Sequence, residues 1–520
     1  MNISSYKNNI VLINHQGLKL SSGLQIQSPS PPIGLAYIGA YLRKNNFSYT
    51  AIDACGEALT RIRKAEPGSD LLIQGLTNKE VIEKIPSDVK IVGLTALFSH
   101  AWFLARDLAK EIKLNFPNCK IVFGGEHSSA QVKETLSHSF IDYVITGEGE
   151  ETFLEFTSLL LSNQEVKTIQ GLAYKDKDGK IIENPKRKRT VTIDNFPYPD
   201  WDSWSITEYI NHLQVTGINL GRGIPILGSR GCPFECIFCS NKEMWGQRYI
   251  MRDPKQLVDE MEYMKKKYKV NSFHFMDSTF LINNKKLVLF CKELIDRNLN
   301  ISYQIPAGTR SECINEELVA LLDQSGLKNL ALAPESGSEK IRQIVKKKIN
   351  YKNFKKAARL LAKSNISVGC FVVIGFPEDN LRSMIATYGM IFKLALLGVD
   401  DITVSQFTPY PGSYYYNYLL EKGLMKGNVE EMSDIISYYS QKTRSYSETL
   451  SPRSIYYFMM SMFIFFYFFS FLLRPWKPIL NIVNYLRTGS ENARYVKFIS
   501  EIFIVRKKWF TNLVSSSAKR

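Results

Sequence analysis

The sequence predicts an α/β protein in three parts: a doubly wound parallel sheet, a partial barrel of six βα units, and a C-terminal helical region. Three observations predict this. Short apolar runs alternate with amphipathic stretches from residue 9 to about residue 160, the rhythm of a parallel sheet with helices on both faces. The same rhythm resumes from Ile224 to about Leu420, and an apolar run followed by a basic tail replaces it after residue 450. At 520 residues the chain also exceeds what one hydrophobic core usually serves.

In the first part, Ile10-Val11-Leu12-Ile13 and Tyr49-Thr50-Ala51-Ile52 read as strands, followed by residues 90–94, 120–123 and 143–145. Helical patterns lie between them, at 33–44 behind Pro31 and Pro32 and at 101–114. In such sheets, ligands bind beyond the carboxyl ends of the strands. The residues there are Asn14 and His15, Asp53, Gly124-Gly125-Glu126-His127, and Gly147-Glu148-Gly149-Glu150. Glycine at a strand end lets a bulky ligand approach the backbone. No G-x-G-x-x-G follows the first strand, which argues against a dinucleotide.

Residues 166–220 read as a linker. Gly171-Leu172-Ala173-Tyr174 and Lys180-Ile181-Ile182 flank a polar turn as a hairpin. Lys186-Arg187-Lys188-Arg189 reads as a solvated basic face, and Phe196-Pro197-Tyr198-Pro199-Asp200-Trp201 as a domain boundary.

The second part opens on Ile224-Pro225-Ile226-Leu227, a short buried strand, and the loop leaving it holds Cys232, Cys236 and Cys239. Three thiolates spaced C-x3-C-x2-C can converge on iron or zinc. Structural zinc wants four closed ligands, and no fourth Cys or His lies near in sequence. A four-iron cubane held by three cysteines would keep one iron open. Further strand candidates are 272–276, 301–305, 329–333, 367–374 and 401–407, with helical patterns such as 254–266 and 285–297. Their ends carry Asp277, Thr309 and Arg310, Glu335-Ser336-Gly337, Gly375-Phe376-Pro377-Glu378, and Gln406. Parallel barrels keep their active groups at such ends. Cys291, Cys313 and Cys370 read as core residues.

The cysteine spacing resembles the radical S-adenosylmethionine (SAM) superfamily, with Phe238 at the aromatic position that family places near adenine. The resemblance implies a (β/α)6 TIM-like partial barrel whose 4Fe-4S cluster binds SAM at its open iron. Glu335, Ser336, Gly375 and Gln406 match the family's strand-end positions for SAM. Many members carry Gly-Gly-Glu after the second strand; here Met276-Asp277-Ser278 stands, and Asp277 becomes the candidate for the methionyl amine. Residues 9–165 resemble the Rossmann-like cobalamin-binding domain found ahead of many such barrels. The match runs through Pro31-Pro32-Ile33-Gly34-Leu35-Ala36-Tyr37, Ile52-Asp53-Ala54, Gly124-Gly125-Glu126-His127 and Gly147-Glu148-Gly149-Glu150. It implies cobalamin contacts from Asn14, Gly34, Gly124, Gly125, His127, Gly147, Glu148 and Gly149. The D-x-H-x-x-G motif that supplies a cobalt ligand elsewhere is missing, since Gly125 stands two before His127. His127 then reads either as a pocket residue or as a loop histidine bonded to backbone.

The implied domains are 9–165, a linker to 220, 221–425 for the barrel and 426–520 for the helical region. Residues 455–473 are uncharged, and ten of the nineteen are aromatic. That is long enough to cross a bilayer. Three readings compete: a helix lying on the membrane, a span, and a buried helix over the active-site mouth. From Arg474 onward ten Lys/Arg face two acids, including Arg506-Lys507-Lys508-Trp509-Phe510, which favours an anionic lipid surface. No RNA-binding module accompanies this charge, so nucleic acid is not expected.

The eight cysteines do not form a disulfide framework, and Met1 to Lys7 carry no signal-peptide pattern. A cytoplasmic protein at the inner membrane face is expected. By resemblance, the cluster would donate an electron, drawn from a flavodoxin or ferredoxin, into SAM. The resulting radical would abstract hydrogen, methylcobalamin would methylate an unactivated carbon, and a second SAM would restore the methyl group. The substrate is expected to be a small molecule, apolar or lipid-like. Cyclisation, rearrangement or carbon–carbon coupling with the same cofactors is the alternative, and a non-catalytic cobalamin or redox sensor a further one.

Overall fold

The computed structural model describes residues 9–20, 29–66, 70–190, 192–214, 216–428, 431–432, 444–493 and 495–497. The N-terminal Met1 to Lys7 and the basic Arg506 to Phe510 lie outside the described residues.

The first sheet contains β1 (Ile10–Asn14), β3 (Thr50–Asp53), β6 (Ile91–Thr95), β7 (Lys120–Gly124), β8 (Tyr143–Ile145), β9 (Leu172–Lys175) and β10 (Ile181–Glu183). Their order is β10-β9-β8-β7-β6-β1-β3. The five strands from β8 to β3 are parallel, and β1 and β6 are buried almost throughout, as expected of strands covered on both faces. The helix Ile33–Lys44 packs on one face through Leu35, Ala36, Gly39, Ala40 and Leu42. Gly39 has to be glycine, because a Cβ there would strike the Tyr49 hydroxyl.

Two features differ from the sequence expectation. The hairpin read as linker is β9 and β10, which continues the first sheet antiparallel to β8. Its apolar alternation finds the exposed β8 edge and covers it. β2 (Gly17–Leu20), β4 (Ile62–Lys64) and β5 (Leu71–Gln74) form a small antiparallel sheet. The proline-punctuated segment packs against the first domain. Asp200 accepts from Arg43 (2.5 Å) and Tyr49 (2.7 Å), and Trp201 and Trp204 are buried.

The second sheet is β11 (Gly223–Ile226), β14 (Ser272–Phe275), β15 (Ser302–Thr309), β16 (Leu327–Glu335), β17 (Ser367–Ile374) and β18 (Asp401–Gln406). All are parallel and in chain order, making an open partial barrel. Asp253, Asn283, Asn315, Ser338, Asn350 and Asn380 each cap a barrel helix with a side-chain oxygen. One continuous apolar cluster runs from a face of the first sheet through Trp201, Trp204 and Ile206 into the barrel.

The helix Pro452–Leu473 packs on β18 and on the helix Leu381–Leu397. Ile455, Met459, Met462, Phe466 and Ser470 are its buried face, while Tyr457, Ile464, Phe468 and Leu472 are exposed. By length and composition alone it could cross a membrane.

Candidate functional site

The cysteine loop runs between β12 (Ser229–Arg230) and β13 (Ile250–Met251), a short antiparallel pair just beyond the end of β11. Gly228 and Gly231 permit the turn. A Cβ at Gly228 would enter the Phe280 ring, and Gly231 sits at φ +85° with the Arg248 carbonyl against its open side. Asp277, beyond β14, accepts from the Gly228 amide (3.0 Å) and from the Ser229 hydroxyl. Burial pushes its carboxyl up to about 7. On the far side of the loop, the Ile237 amide donates to Val345 (3.2 Å) and the Tyr415 amide to the Ile237 carbonyl (3.3 Å).

Burial raises the Cys232 and Cys236 thiols, and the positive charges of Lys347 and Arg310 oppose that shift. Lys347 is itself buried and paired with Glu335 at 2.9 Å. The Arg310 guanidinium lies 3.8 Å from the Phe234 ring centroid within the loop. Two buried cations beside Cys232 and Cys236 suit a group that carries several thiolates. Among the described residues, no three His, Cys, Asp or Glu side chains gather tightly enough for a single metal ion.

Several of the SAM candidates converge on this loop. Phe238 packs on Phe376 with ring centroids 5.5 Å apart, beside Gly375 at φ +90°. Glu335 ends β16 with φ +63°, a conformation rare outside glycine, and its Lys347 partner lies beside Cys236. The carbonyl of Ser336 accepts from Arg342 (2.6 Å) and its hydroxyl from the Ser338 amide (3.2 Å). Thr309 Oγ1 and Arg310 Nη1, at the end of β15, are buried without a hydrogen-bond partner, the condition a polar ligand relieves. Two candidates are engaged elsewhere. Both Asp277 oxygens hold the Gly228–Ser229 turn, and the Gln406 amide donates to the Arg444 carbonyl. Sequence reasoning missed Lys347, because Lys346-Lys347-Lys348 looks like any solvated basic run.

The cobalamin candidates lie at the carboxyl ends of the first sheet. Asn14 donates to Asp53 at 2.8 Å, and Asp53 also accepts from the Gly56 amide and the Tyr209 hydroxyl. Burial lifts Asp53 to about 6. A Cβ at Gly34 would meet nothing within 4 Å, and one at Gly124 would meet only Ile145 O at 3.9 Å. Gly125 and Gly147 take positive φ, and Gly149 packs near Ile38. The bare backbone at Gly34 and Gly124 suits a broad planar ligand, whereas a Cβ at Gly125 would lie 2.7 Å from the Ala96 carbonyl oxygen. His127 belongs to the short helix Glu126–Ala130 rather than a loop. Its buried ring stacks on Trp102 (4.9 Å) and bonds the Ser99 hydroxyl (2.9 Å), so it is tucked into the domain interior. Glu148 has both oxygens on arginines, Arg230 (3.0 Å) and Arg189 (2.9 Å). A cavity of 310 Å³ opens between the two sheets' domains, lined among others by Ser129, Thr146, Leu172, Glu243 and Tyr416.

The chain matches the radical SAM superfamily model over residues 226–391 and the B12 binding domain model over residues 23–157. It is 30% identical to an uncharacterized methyltransferase of Pyrococcus horikoshii over 405 residues, covering 77% of this chain and 81% of that one. The anaerobic magnesium-protoporphyrin IX monomethyl ester cyclase of Rubrivivax gelatinosus is 28% identical, with 77% and 68% covered. The cytidylyl-2-hydroxyethylphosphonate methyltransferase of Streptomyces wedmorensis is 25% identical, with 69% and 72% covered. Among solved structures, the methyltransferase TsrM from Kitasatospora setae, with cobalamin and [4Fe-4S] cluster bound, superposes with TM-score 0.61 at 16% identity. That superposition covers 80% of this chain and 78% of TsrM. The cobalamin-dependent enzyme OxsB superposes with TM-score 0.62 at 16% identity, over 87% of this chain and 60% of OxsB; both show the shared fold. This chain therefore belongs to the radical SAM enzymes that carry a B12 binding domain, with a 4Fe-4S cluster, S-adenosylmethionine and cobalamin as cofactors.

Proposed function

We propose that the protein methylates an unactivated carbon of an apolar, lipid-like substrate. When bound, the cluster with SAM supplies a hydrogen-abstracting radical, and cobalamin supplies a methyl group. Cys232, Cys236 and Cys239 would hold three irons as thiolates, leaving the fourth for SAM. Phe238 and the Gly375–Phe376 turn would take the adenine. Glu335, Ser336 and Gln406 would reach the amino group or ribose hydroxyls, the last only on leaving Arg444. Asp277 would keep the loop in shape rather than touch the ligand. Gly34, Gly124 and Gly147 would leave backbone open to the corrin, Asn14, Gly125 and Gly149 would shape the turns around it, and the interdomain cavity would take the polar tail.

The observation that carries this reading is the contact between the two cofactor turns. Ser240, next to Cys239, donates to Glu126, next to Gly124-Gly125. A methyl group can pass to a carbon radical only where both cofactors face one substrate. The methyltransferases among the relatives support the same reading.

Supplying deuteromethyl-labelled SAM to the anaerobically reconstituted protein, with lipid and metabolite extracts, tests it. The expected product gains one labelled methyl group. Ring closure is the second reading, supported by the cyclase relatives; a product that loses hydrogen and gains no label would establish it instead.

Radical SAM enzymes need a reductant, and a flavodoxin or ferredoxin would serve. A peripheral seat on anionic membrane is also part of the proposal. Phe468 and Leu486 are 59% and 76% exposed, and no acidic residue occurs between 452 and 490. Flotation with anionic liposomes is expected to carry the full-length protein upward. Protein that stays at the bottom refutes the membrane seat and leaves the chemistry untouched.

A further inference from the structure

We infer that Arg230 is a positioning residue that ties the cluster loop to the cobalamin domain and fixes how the two cofactors face each other. Arg230 stands two residues before Cys232. Its guanidinium forks between two carboxylates of the other domain, with Nη1 on Glu148 Oε1 at 3.0 Å and Nη2 on Glu150 Oε1 at 2.6 Å. Glu148 and Glu150 flank Gly149 in the turn between β8 and the helix Glu150–Leu161. Side-chain exposures of 6%, 14% and 8% take all three groups largely out of water.

Three aromatic rings surround the guanidinium. The Arg230 guanidinium lies 5.4 Å from the Tyr37 ring centroid, 5.1 Å from Phe196 and 5.7 Å from Trp245. Tyr37 comes from the first domain, Phe196 from the connecting segment, and Trp245 from the short helix after the cysteines. Arg189 completes the clamp, pairing with the other oxygen of Glu148 and donating to the Trp245 carbonyl at 2.7 Å. Two arginines and two glutamates therefore balance in charge at the seam between the domains.

A buried ion cluster is a poor source of net stability, because desolvating four charges offsets most of their attraction. What a forked guanidinium supplies well is direction, since its donors are fixed in one plane. The direction here runs from the Gly147-Glu148-Gly149-Glu150 turn to Cys232. A clamp at that point sets separation and tilt between cobalt and cluster while touching neither. The inference rests on the family's two cofactors and not on methyl transfer, so it stands or falls separately from the proposed reaction.

The test is pulsed dipolar EPR between cob(II)alamin and the reduced cluster in the reconstituted full-length protein, without substrate. The parent is expected to give a resolved dipolar oscillation. Arg230→Lys keeps the charge but not the fork, and is expected to lose that oscillation while cluster content, cobalamin content and Tm stay at the parent's level. Glu150→Gln, which is isosteric, keeps the test open should the lysine variant load poorly, and is expected to show the same loss. Unchanged oscillations in a fully loaded variant would overturn the inference. A fall in Tm with the oscillation retained would reduce Arg230 to an ordinary structural contact and overturn it equally.

Discussion

Lys347 and Glu335 are buried together beside Cys236, and removing one leaves the other as an uncompensated charge. Lys347→Met is expected to cost about 3–5 kcal/mol, read by denaturant unfolding, whereas an exposed neighbour such as Lys348→Met should change little. Asp277 gives a pH signature. Its carboxyl is raised by burial to about 7 from an ordinary 3.8, so between those values the folded chain binds more protons than the unfolded one. The Asp277 contribution therefore falls as pH rises from about 4 to about 7. Melting curves of Asp277→Asn and the parent should diverge over that window, the parent losing ground, and stay parallel above it. The cysteines were legible because their spacing is local and their chemistry narrow. Lys347 was not, because its meaning comes from Cys236, which is far off in sequence and near only in the fold. Asp277 was legible as a strand-end acid but not as one already bonded to Gly228 and Ser229. His127 was visible only as one of two options, since its ring partners Trp102 and Ser99 lie far off in sequence.

At the scale of elements, every barrel strand was legible within a few residues, because buried parallel strands are continuous apolar runs between capped helices. The helix Pro452–Leu473 was legible only as an element. Apolar residues around its whole circumference leave no period to say which face is inside. The structure divides it, with Phe466 buried and Phe468 exposed. Phe466→Ala should then cost about 3–5 kcal/mol, against a change within about 0.5 kcal/mol for Phe468→Ala, both read by unfolding. The same helix reaches the proposed adenine turn, since a Cβ on Gly375 would lie 2.8 Å from Ile455 Cδ1 and φ there is +90°. Gly375→Ala should lower Tm and weaken SAM binding, and Gly389→Ala, which meets nothing within 4 Å, should do neither.

For the whole molecule, a mixed and a parallel sheet share one apolar cluster, and turns at their strand ends touch through Ser240 and Glu126. We propose that the first domain extends through the β9–β10 hairpin, past the boundary at 165 that the sequence rhythm suggests, with the barrel from about 221 to 425. The hairpin was legible but its place was not, because short alternating strands around a polar turn look alike in a linker and at a sheet edge; only the unpaired edge of β8 decides. The packing of one domain on the other was not legible at all, because Arg230, Glu148, Ser240 and Glu126 are ordinary surface residue types until the fold brings them together.

The central claim is that both cofactors act in each turnover to add a methyl group. It is tested most directly by counting SAM products during turnover on extract under strictly anaerobic, reducing conditions. Transfer with restoration of the methyl donor by a second SAM predicts S-adenosylhomocysteine and 5'-deoxyadenosine in equal amounts, rising together. Accumulation of 5'-deoxyadenosine alone, with cluster and cobalamin fully loaded and substrate consumed, would contradict it.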